Sequence, residues 1–345
     1  MPVFPHLQAM AAASSLGLCL AFFAMSTATA AEDHLEFPGG PGLGQGKRVV
    51  LIAGDDEYRS EESLPMLAKI LSKRHGFACT VLFSADDDGT VAPTKGESLT
   101  HPQALDGADA IVMLARFRHW PDEAMKHFVD AYLAGTPIIA LRTSTHAFKT
   151  TGTFAAYSYD AKAPWAGGFG REVLGETWVS HHGDHKKQGT RAIIEAAHAD
   201  AEVLRGVTGI FGDTDVYTAA PPADARILLR GQVTASLQPD SAAVEGPKNE
   251  PMMPVAWTRA LVNAAGKTNR VLCTTMGAAT DLRNEGLRRL VVNGVIWGVG
   301  LEVPAAADVT LVDPYAPSAY GFGGNLPGLK VADLELGKPF PPLAH

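Results

Sequence analysis

Cysteine is scarce in this chain. Its 345 residues include three, and Cys19 lies in an apolar run near the N-terminus. Cys79 and Cys273 are too few for a disulfide framework. Each sits in an apolar, strand-like run (Phe77–Phe83 and Arg270–Met276), where a thiol packs as a small hydrophobe. Neither occupies a sharp turn, so neither is placed as a nucleophile. Positive charge is also in deficit: 29 Lys and Arg stand against 37 Asp and Glu, for a net charge of −8. No sustained basic patch is present, which excludes nucleic acid as an expected partner. No internal repeat is present either.

The first eight residues lack Lys and Arg, so only the α-amino group is positive ahead of the apolar run Ala9–Met25. Ser14 and Ser15 interrupt that run and leave it marginal for a membrane span. It ends in Ser26-Thr27-Ala28-Thr29-Ala30, and Ala28-x-Ala30 fits the small-residue cleavage rule. Residues 1–31 are therefore read as a secretory signal. The mature protein is expected outside the cytoplasm, periplasmic or secreted, with no stable membrane insertion. Leu18 precedes Cys19 where a lipoprotein signal would want a small residue.

With 46% hydrophobic residues, the remainder can bury a sizeable core. Residues 32–46, rich in Gly and Pro, read as a flexible lead-in, residues 47–303 as one domain, and residues 304–345 as a Pro/Gly-rich tail that wraps the surface or is loosely ordered. RVVLIA (Arg48–Ala53) and PIIAL (Pro137–Leu141) are continuous apolar runs of the kind a buried parallel strand needs. Phe77–Phe83 and Ala108–Leu114 add two strands between them. Helices are expected at Ser60–Arg74, with Leu64, Leu67, Ala68 and Leu71 on one face, at Pro121–Ala134, and at Leu282–Val299. Later strands are expected at Arg191–Glu195, Val216–Ala219, Arg226–Leu229, Val255–Thr258 and Arg270–Thr275. This alternation predicts an α/β fold with a parallel sheet and helices on both faces.

In such a sheet, ligands bind outside the carboxyl ends of the strands. That rule selects Gly54–Arg59, Arg142–Phe148 and Met276–Arg283. Asp55, Asp56, Tyr58 and Arg59 could hold sugar hydroxyls or a cation, or simply cap the helix that follows. Arg142 and His146 could orient a substrate. Ser144 lacks the glycine-flanked elbow of a serine nucleophile. The densest concentration of chemistry is Glu176-Thr177-Trp178-Val179-Ser180-His181-His182-Gly183-Asp184-His185. Histidine titrates nearest neutral pH, so one of these imidazoles, His181 or His182 first, is expected to work as a general acid or base. The alternative is a surface loop whose histidines cap backbone groups. The spacing is not the helical H-E-x-x-H pattern and has no partner ligand cluster, so no metal and no cofactor are expected. Glu176, Trp178, Asp215 and Tyr217 are read as substrate contacts. Trp165 and Trp178 are either stacking platforms or packing rings. Gly167-Gly168-Phe169-Gly170 does not follow a strand and open a helix, and is no dinucleotide fingerprint.

Taken in order, RVVLIAGDDEYRSEE, PIIALRTSTHAF, VLGETWVSHHGDH, FGDTDVYT, PMMPVAWTR and RVLCTTMGAATDLRNEGLRRLVVNGVIWGVG resemble the ThuA-like, or trehalose-utilisation, family over roughly Lys47–Leu301. The resemblance implies a flavodoxin-like sheet similar to class I glutamine amidotransferases. It also implies a role in carbohydrate metabolism, with disaccharides or their 3-keto derivatives as partners. His181 carries over from the family's His-Pro step, without the Pro. Thr214-Asp215-Val216-Tyr217 resembles its Asp-Glu-x-Tyr. Arg142 stands where the family's Gly-Ile-His has an imidazole, and Ala278 where Leu-Gly-His has another. The amidotransferase cysteine is missing from Arg142–Thr145, so glutamine hydrolysis is not expected. Two functions follow: an exported sugar-active enzyme using His general acid/base chemistry, or a non-catalytic carbohydrate-binding or scaffold protein on the same fold.

Overall fold

The computed structural model describes residues 1–3 and 33–342. The secretory signal, with Cys19, falls outside the described residues apart from positions 1–3. Among the described residues, no helix is long and apolar enough to cross a membrane.

In chain order the elements are β1 (His34–Phe37), β2 (Arg48–Gly54), α1 (Ser60–His75), β3 (Ala78–Phe83), β4 (Ala110–Ala115), α2 (Asp122–Leu133) and β5 (Ile138–Leu141). They continue with β6 (Thr190–Ile194), β7 (Phe211–Gly212), β8 (Arg226–Val233), β9 (Met253–Val262), β10 (Thr268–Thr274) and α3 (Glu285–Gly298). All ten strands join one sheet in the order β1-β3-β2-β4-β5-β10-β9-β8-β6-β7. The five central strands, β3-β2-β4-β5-β10, are parallel. Taken by themselves they run 2-1-3-4-5, the flavodoxin-like order, with its switch point between β2 and β4.

The α/β expectation therefore holds, but the sheet is not parallel throughout. β9, β8, β6 and β7 extend it antiparallel, as does β1 at the other edge. Val216–Ala219 forms no strand; the nearest is the two-residue β7. The lead-in is not free either: β1 pairs with β3 and buries Leu35 and Phe37.

Side chains alternate along the buried strands. Val49, Leu51 and Ala53 pack with α1 and α3 on one face. Val50 and Ile52 pack with α2 on the other. α1 stops at Gly76, whose φ of +81° suits the left-handed cap, and basic residues fill its last turn. α3 starts at Asn284, whose side chain accepts from the Leu287 amide. Cys79 and Cys273 are free thiols, both buried.

The tail wraps over the carboxyl rim of the sheet and the first turn of α1. Glu62 accepts from the Ser318 amide at 2.8 Å and from the Ser318 hydroxyl. Lys69 pairs with Asp313 at 2.7 Å, and the Tyr315 hydroxyl donates to the Ala279 carbonyl at 3.0 Å. Under this strap both carboxyl oxygens of Glu61 are buried without a partner. Burial, reinforced by Glu62, pushes the Glu61 carboxyl up to about 8.

Folded Glu61 keeps its proton at pH values where the unfolded chain has released it. Its contribution is therefore intact near pH 4.5 and is lost as the pH rises toward 8. Glu61→Gln, neutral at every pH, is expected to raise Tm at pH 8, by about 2–4 °C per kcal/mol recovered. Near pH 4.5 it should leave Tm almost unchanged. Calorimetric scans at the two pH values check this, and equal shifts at both would refute it.

Candidate functional site

Five segments meet at the carboxyl rim beside the switch point. The loop after β2 supplies Glu57 and Tyr58, and the loop after β4 supplies Arg116 and Phe117. The turn after β5 supplies His146. The His-rich segment and its partner 213–217 supply Trp178, His181 and Tyr217. These eight side chains line a cavity of about 220 Å³. A wider groove, about 480 Å³, lies at the opposite, amino-terminal ends of β4 and β5, where the strand-end rule places no site.

Backbone pairing sets the register of the His-rich segment. His181 and Tyr217 form an antiparallel bridge, and the Thr218 amide donates to the Ser180 carbonyl at 3.0 Å. The amides of His182 and Gly183 both donate to the Val216 carbonyl, at 2.9 and 3.0 Å. Residues two apart in an extended chain share a face. Asp215 and Tyr217 thus point into the site, while Val216 packs into the core. Glycine lets the segments close: a Cβ on Gly170 would lie 1.8 Å from the Thr145 carbonyl oxygen, at the turn carrying His146.

Asp215 is the hub. Its Oδ2 accepts from His181 Nδ1 at 2.7 Å. Its Oδ1 accepts from His185 Nδ1 at 2.9 Å and from Arg142 at 3.0 Å. Burial opposes ionisation of this carboxyl, but the bond from His181 and the Arg142 charge outweigh it and hold it at about 2. An ionised Asp215 can only accept, so both imidazoles carry their proton on Nδ1. The Nε2 of His181 has no part in the bond to Asp215. The His181 side chain is 39% exposed, whereas that of Asp215 is wholly buried.

Arg142 does not touch substrate space. It is completely buried, with φ +41°, between the rings of Tyr58 (4.5 Å) and Tyr217 (4.1 Å). It donates to the carbonyls of Asp215 (2.9 Å) and Thr275 (2.8 Å). Its role is to hold Asp215, which corrects its reading as a catalytic group that orients substrate. His146 lines the cavity, but burial and the charges of Arg116 and Arg142 push its pKa well down, so it is neutral there. Burial raises the Tyr58 phenol to about 12 and the Tyr217 phenol well above its usual value, leaving both as neutral hydroxyls 3.4 Å apart.

Several expected contacts are turned away from the cavity. Asp55 is buried, and its oxygens are taken by the amides of Glu57 (2.7 Å) and Tyr58 and by the Thr143 hydroxyl. Asp56 pairs with Arg116 at 3.0 Å. Arg59 bonds the carbonyls of Glu57 (3.2 Å) and Gly321 (2.7 Å), clamping the tail. Glu176 accepts from the amides of Thr177 (2.9 Å) and Ala220 (2.7 Å) and pairs with Arg171 (2.7 Å), so it braces the loop. His182 Nε2 donates to the Lys248 carbonyl at 2.9 Å, facing away from Asp215. Ser144 donates to the Met113 carbonyl at 2.9 Å and is no nucleophile.

Arg116 and Phe117 line the cavity without having been singled out, while Glu57 and His185 lie inside the selected Gly54–Arg59 loop and His-rich segment. The strand-end rule reaches Arg116 and Phe117 once the loop after β4 is included. Phe117, at φ +50°, marks the same spot by strain. His185 Nε2 lies 3.3 Å from Glu57 Oε1.

His181, His185 and Asp215 each offer a ligand atom within 4.8 Å of the others and could together hold a divalent cation. Asp33, His34 and His101 are equally close at the sheet edge. There the two imidazoles stack at 3.8 Å and 11°, so their in-plane lone pairs run parallel and do not converge.

Removing Arg142 would leave Asp215 buried beside no fixed cation. Arg142→Met is expected to lower unfolding stability by about 3–5 kcal/mol. His182→Asn, at a half-buried position outside the cavity, should change it by less than about 0.5 kcal/mol. Urea denaturation of both variants checks the contrast, and equal losses would refute it.

No protein-family model and no curated protein matches the chain. Among solved structures it is similar to a protein from Parabacteroides merdae described as ThuA-like, with a TM-score of 0.46 and 14% identity over 80% of this chain and 97% of that one. A second protein described as ThuA-like, from Bacteroides uniformis, gives 0.45 and 12% over 76% and 94%. The mmIFT52 N-terminal domain gives 0.41 and 11% over 75% and 100%. At these values the likeness carries no functional argument.

Proposed function

We propose that the protein acts on a small carbohydrate by histidine general acid/base chemistry, with His181 moving the proton. One observation carries this reading: a half-exposed imidazole faces a cavity while a buried, ionised carboxylate 2.7 Å away fixes its tautomer. The cavity, about 220 Å³, is smaller than the roughly 300–1,000 Å³ of drug-sized ligand sites and suits one sugar ring. Trp178, Phe117 and Tyr217 offer faces for C–H groups. Arg116, Glu57 and the two phenols offer partners for hydroxyls or a keto oxygen. The motif order of the chain supports a carbohydrate, and its leader supports a place outside the cytoplasm.

Purified protein screened against mono-, di- and keto-saccharides is expected to convert at least one of them. His181→Ala should cut that turnover by about 10²–10⁴-fold while leaving the fold intact. Turnover unchanged in that variant would remove His181 from the chemistry. Calorimetric binding with no conversion would favour the carbohydrate-binding role instead.

The ligand spacing of His181, His185 and Asp215 favours a second reading, in which a divalent cation occupies the cluster and activates water or a carbonyl. Elemental analysis would then give one metal per chain, and chelation would abolish an activity that one equivalent of metal restores. Metal-free protein with full activity would eliminate this reading.

A further inference from the structure

We infer that Phe322, on the C-terminal tail, forms an outer subsite at the mouth of the cavity, for a second ring joined to the bound sugar. The inference rests on the carbohydrate reading of the site and deepens it by naming what the ligand carries beyond its first ring. The ligand class is a sugar bearing a second cyclic group with a flat apolar face, an aryl group or another sugar.

Cavity size is the first observation. About 220 Å³ suits one ring, so any group joined to that ring leaves through the opening. Arg116 stands on the cavity wall, and its guanidinium lies between two phenyl rings. Phe117, 4.5 Å away, itself lines the cavity. Phe322, 4.8 Å away, is the next ring outward. Arg116 also donates to Asp56 at 3.0 Å, which fixes the guanidinium against which Phe322 rests.

The second observation is how Phe322 is presented. A single exposed apolar residue is ordinary on a protein surface. Phe322 is 61% exposed, yet its loop is tied to the site through both polar groups of its neighbour. The Gly321 amide donates to the Glu57 carbonyl at 2.8 Å, and the Gly321 carbonyl accepts from the buried Arg59 at 2.7 Å. Tyr320, on the other side of Gly321, packs on Tyr58 at 5.2 Å and donates to the Asp213 carbonyl at 3.0 Å. Gly323 supplies the left-handed φ of +66° in the turn that carries the ring.

One face of Phe322 is thus covered by Arg116, and the ring is otherwise open to solvent on a backbone anchored to the loop of Glu57 and Tyr58. Aromatic rings stack offset on such a face, and the C–H face of a sugar offers it the same apolar surface. A ring already held in place loses little freedom when a ligand settles on it. The subsite comes from the tail, outside the motifs of Lys47–Leu301.

Calorimetric titration of the full chain with methyl, phenyl and glucosyl glycosides of glucose, in both anomeric forms, reads the subsite. The phenyl or the glucosyl ligand is expected to bind about three- to tenfold tighter than the methyl one. Which of the two gains more tells an aryl group from a sugar as the second ring. Phe322→Ala should erase the gain. Phe322→Leu keeps apolar contact with Arg116 but has no flat face, and should erase it too, whereas Phe322→Tyr should keep it. Equal affinities in the wild type, or a gain that survives both Ala and Leu, overturn the inference alone. NMR of the chain labelled in its phenylalanine rings, with benzyl alcohol as the probe, separates the two readings. A shifted Phe322 signal in a protein that binds no sugar overturns the carbohydrate reading alone. A Phe322 signal that neither benzyl alcohol nor any glycoside moves overturns the inference.

Discussion

The architecture of the site depends on one buried ion pair, Arg142 with Asp215, whose side chains have no solvent exposure. A buried charge pair is weak evidence of stability, because desolvation offsets the attraction. Its value here is positional. The planar guanidinium reaches the Asp215 carbonyl, the Thr275 carbonyl, the Asp215 carboxylate and the Tyr58 hydroxyl in one fork. Those partners come from the 213–217 segment, the end of β10 and the loop after β2. A lysine, with one compact ammonium, could not span them or lie between two phenol rings. With the carboxylate held this way, both imidazoles are oriented by a single group that cannot turn.

The switch point decides where that group is useful. Between β2 and β4 the crossovers leave in opposite directions, and the crevice between them is open to solvent. α1 and α2 accordingly lie on opposite faces of the sheet. The tail then narrows this opening. Tyr320 packs against Tyr58 at 5.2 Å and donates to the Asp213 carbonyl at 3.0 Å, and Phe322 stacks on Arg116 at 4.8 Å. Arg59 and the buried first turn of α1 hold the strap in place.

Much of this was legible in the sequence. Apolar runs such as RVVLIA and PIIAL marked parallel strands, because only a strand covered on both faces is apolar at every position. Glycine and charge bias marked the ends of α1. His181, His146, Trp178, Tyr58 and Tyr217 were named from residue type and place. The errors share a physical cause. Adjacent residues in an extended segment face opposite ways, so of His181 and His182 only one can reach Asp215. The choice depends on register with 213–217, a long-range pairing that local sequence does not record. Asp55 is turned into its own loop by the amides of Glu57 and Tyr58, whereas Glu57 is turned into the cavity. Antiparallel β9 and β8 read as ordinary strands, because residue pattern does not encode direction. Glu176 reads as a substrate contact because a buried carboxylate satisfied by backbone amides has the same composition as one that meets a ligand.

Two carboxylates in one short network are pushed in opposite directions. Asp215 is stabilised as an anion by two imidazoles and a guanidinium, and stays ionised far below neutrality. Glu57 is only partly compensated, with burial and Asp55 raising it against His185, Arg116 and Arg142. Separation of this kind between neighbouring acids is how one site keeps a fixed anion and a transferable proton at the same pH. Asp215 therefore cannot be the proton donor, however central it is. Its charge fixes the Nδ1 proton of His181 and of His185. A titrating imidazole in place of Arg142 would let the charge behind Asp215 vary with pH, and the tautomers of His181 and His185 would vary with it. A guanidinium there keeps the reference constant and confines titration to the groups that reach the cavity.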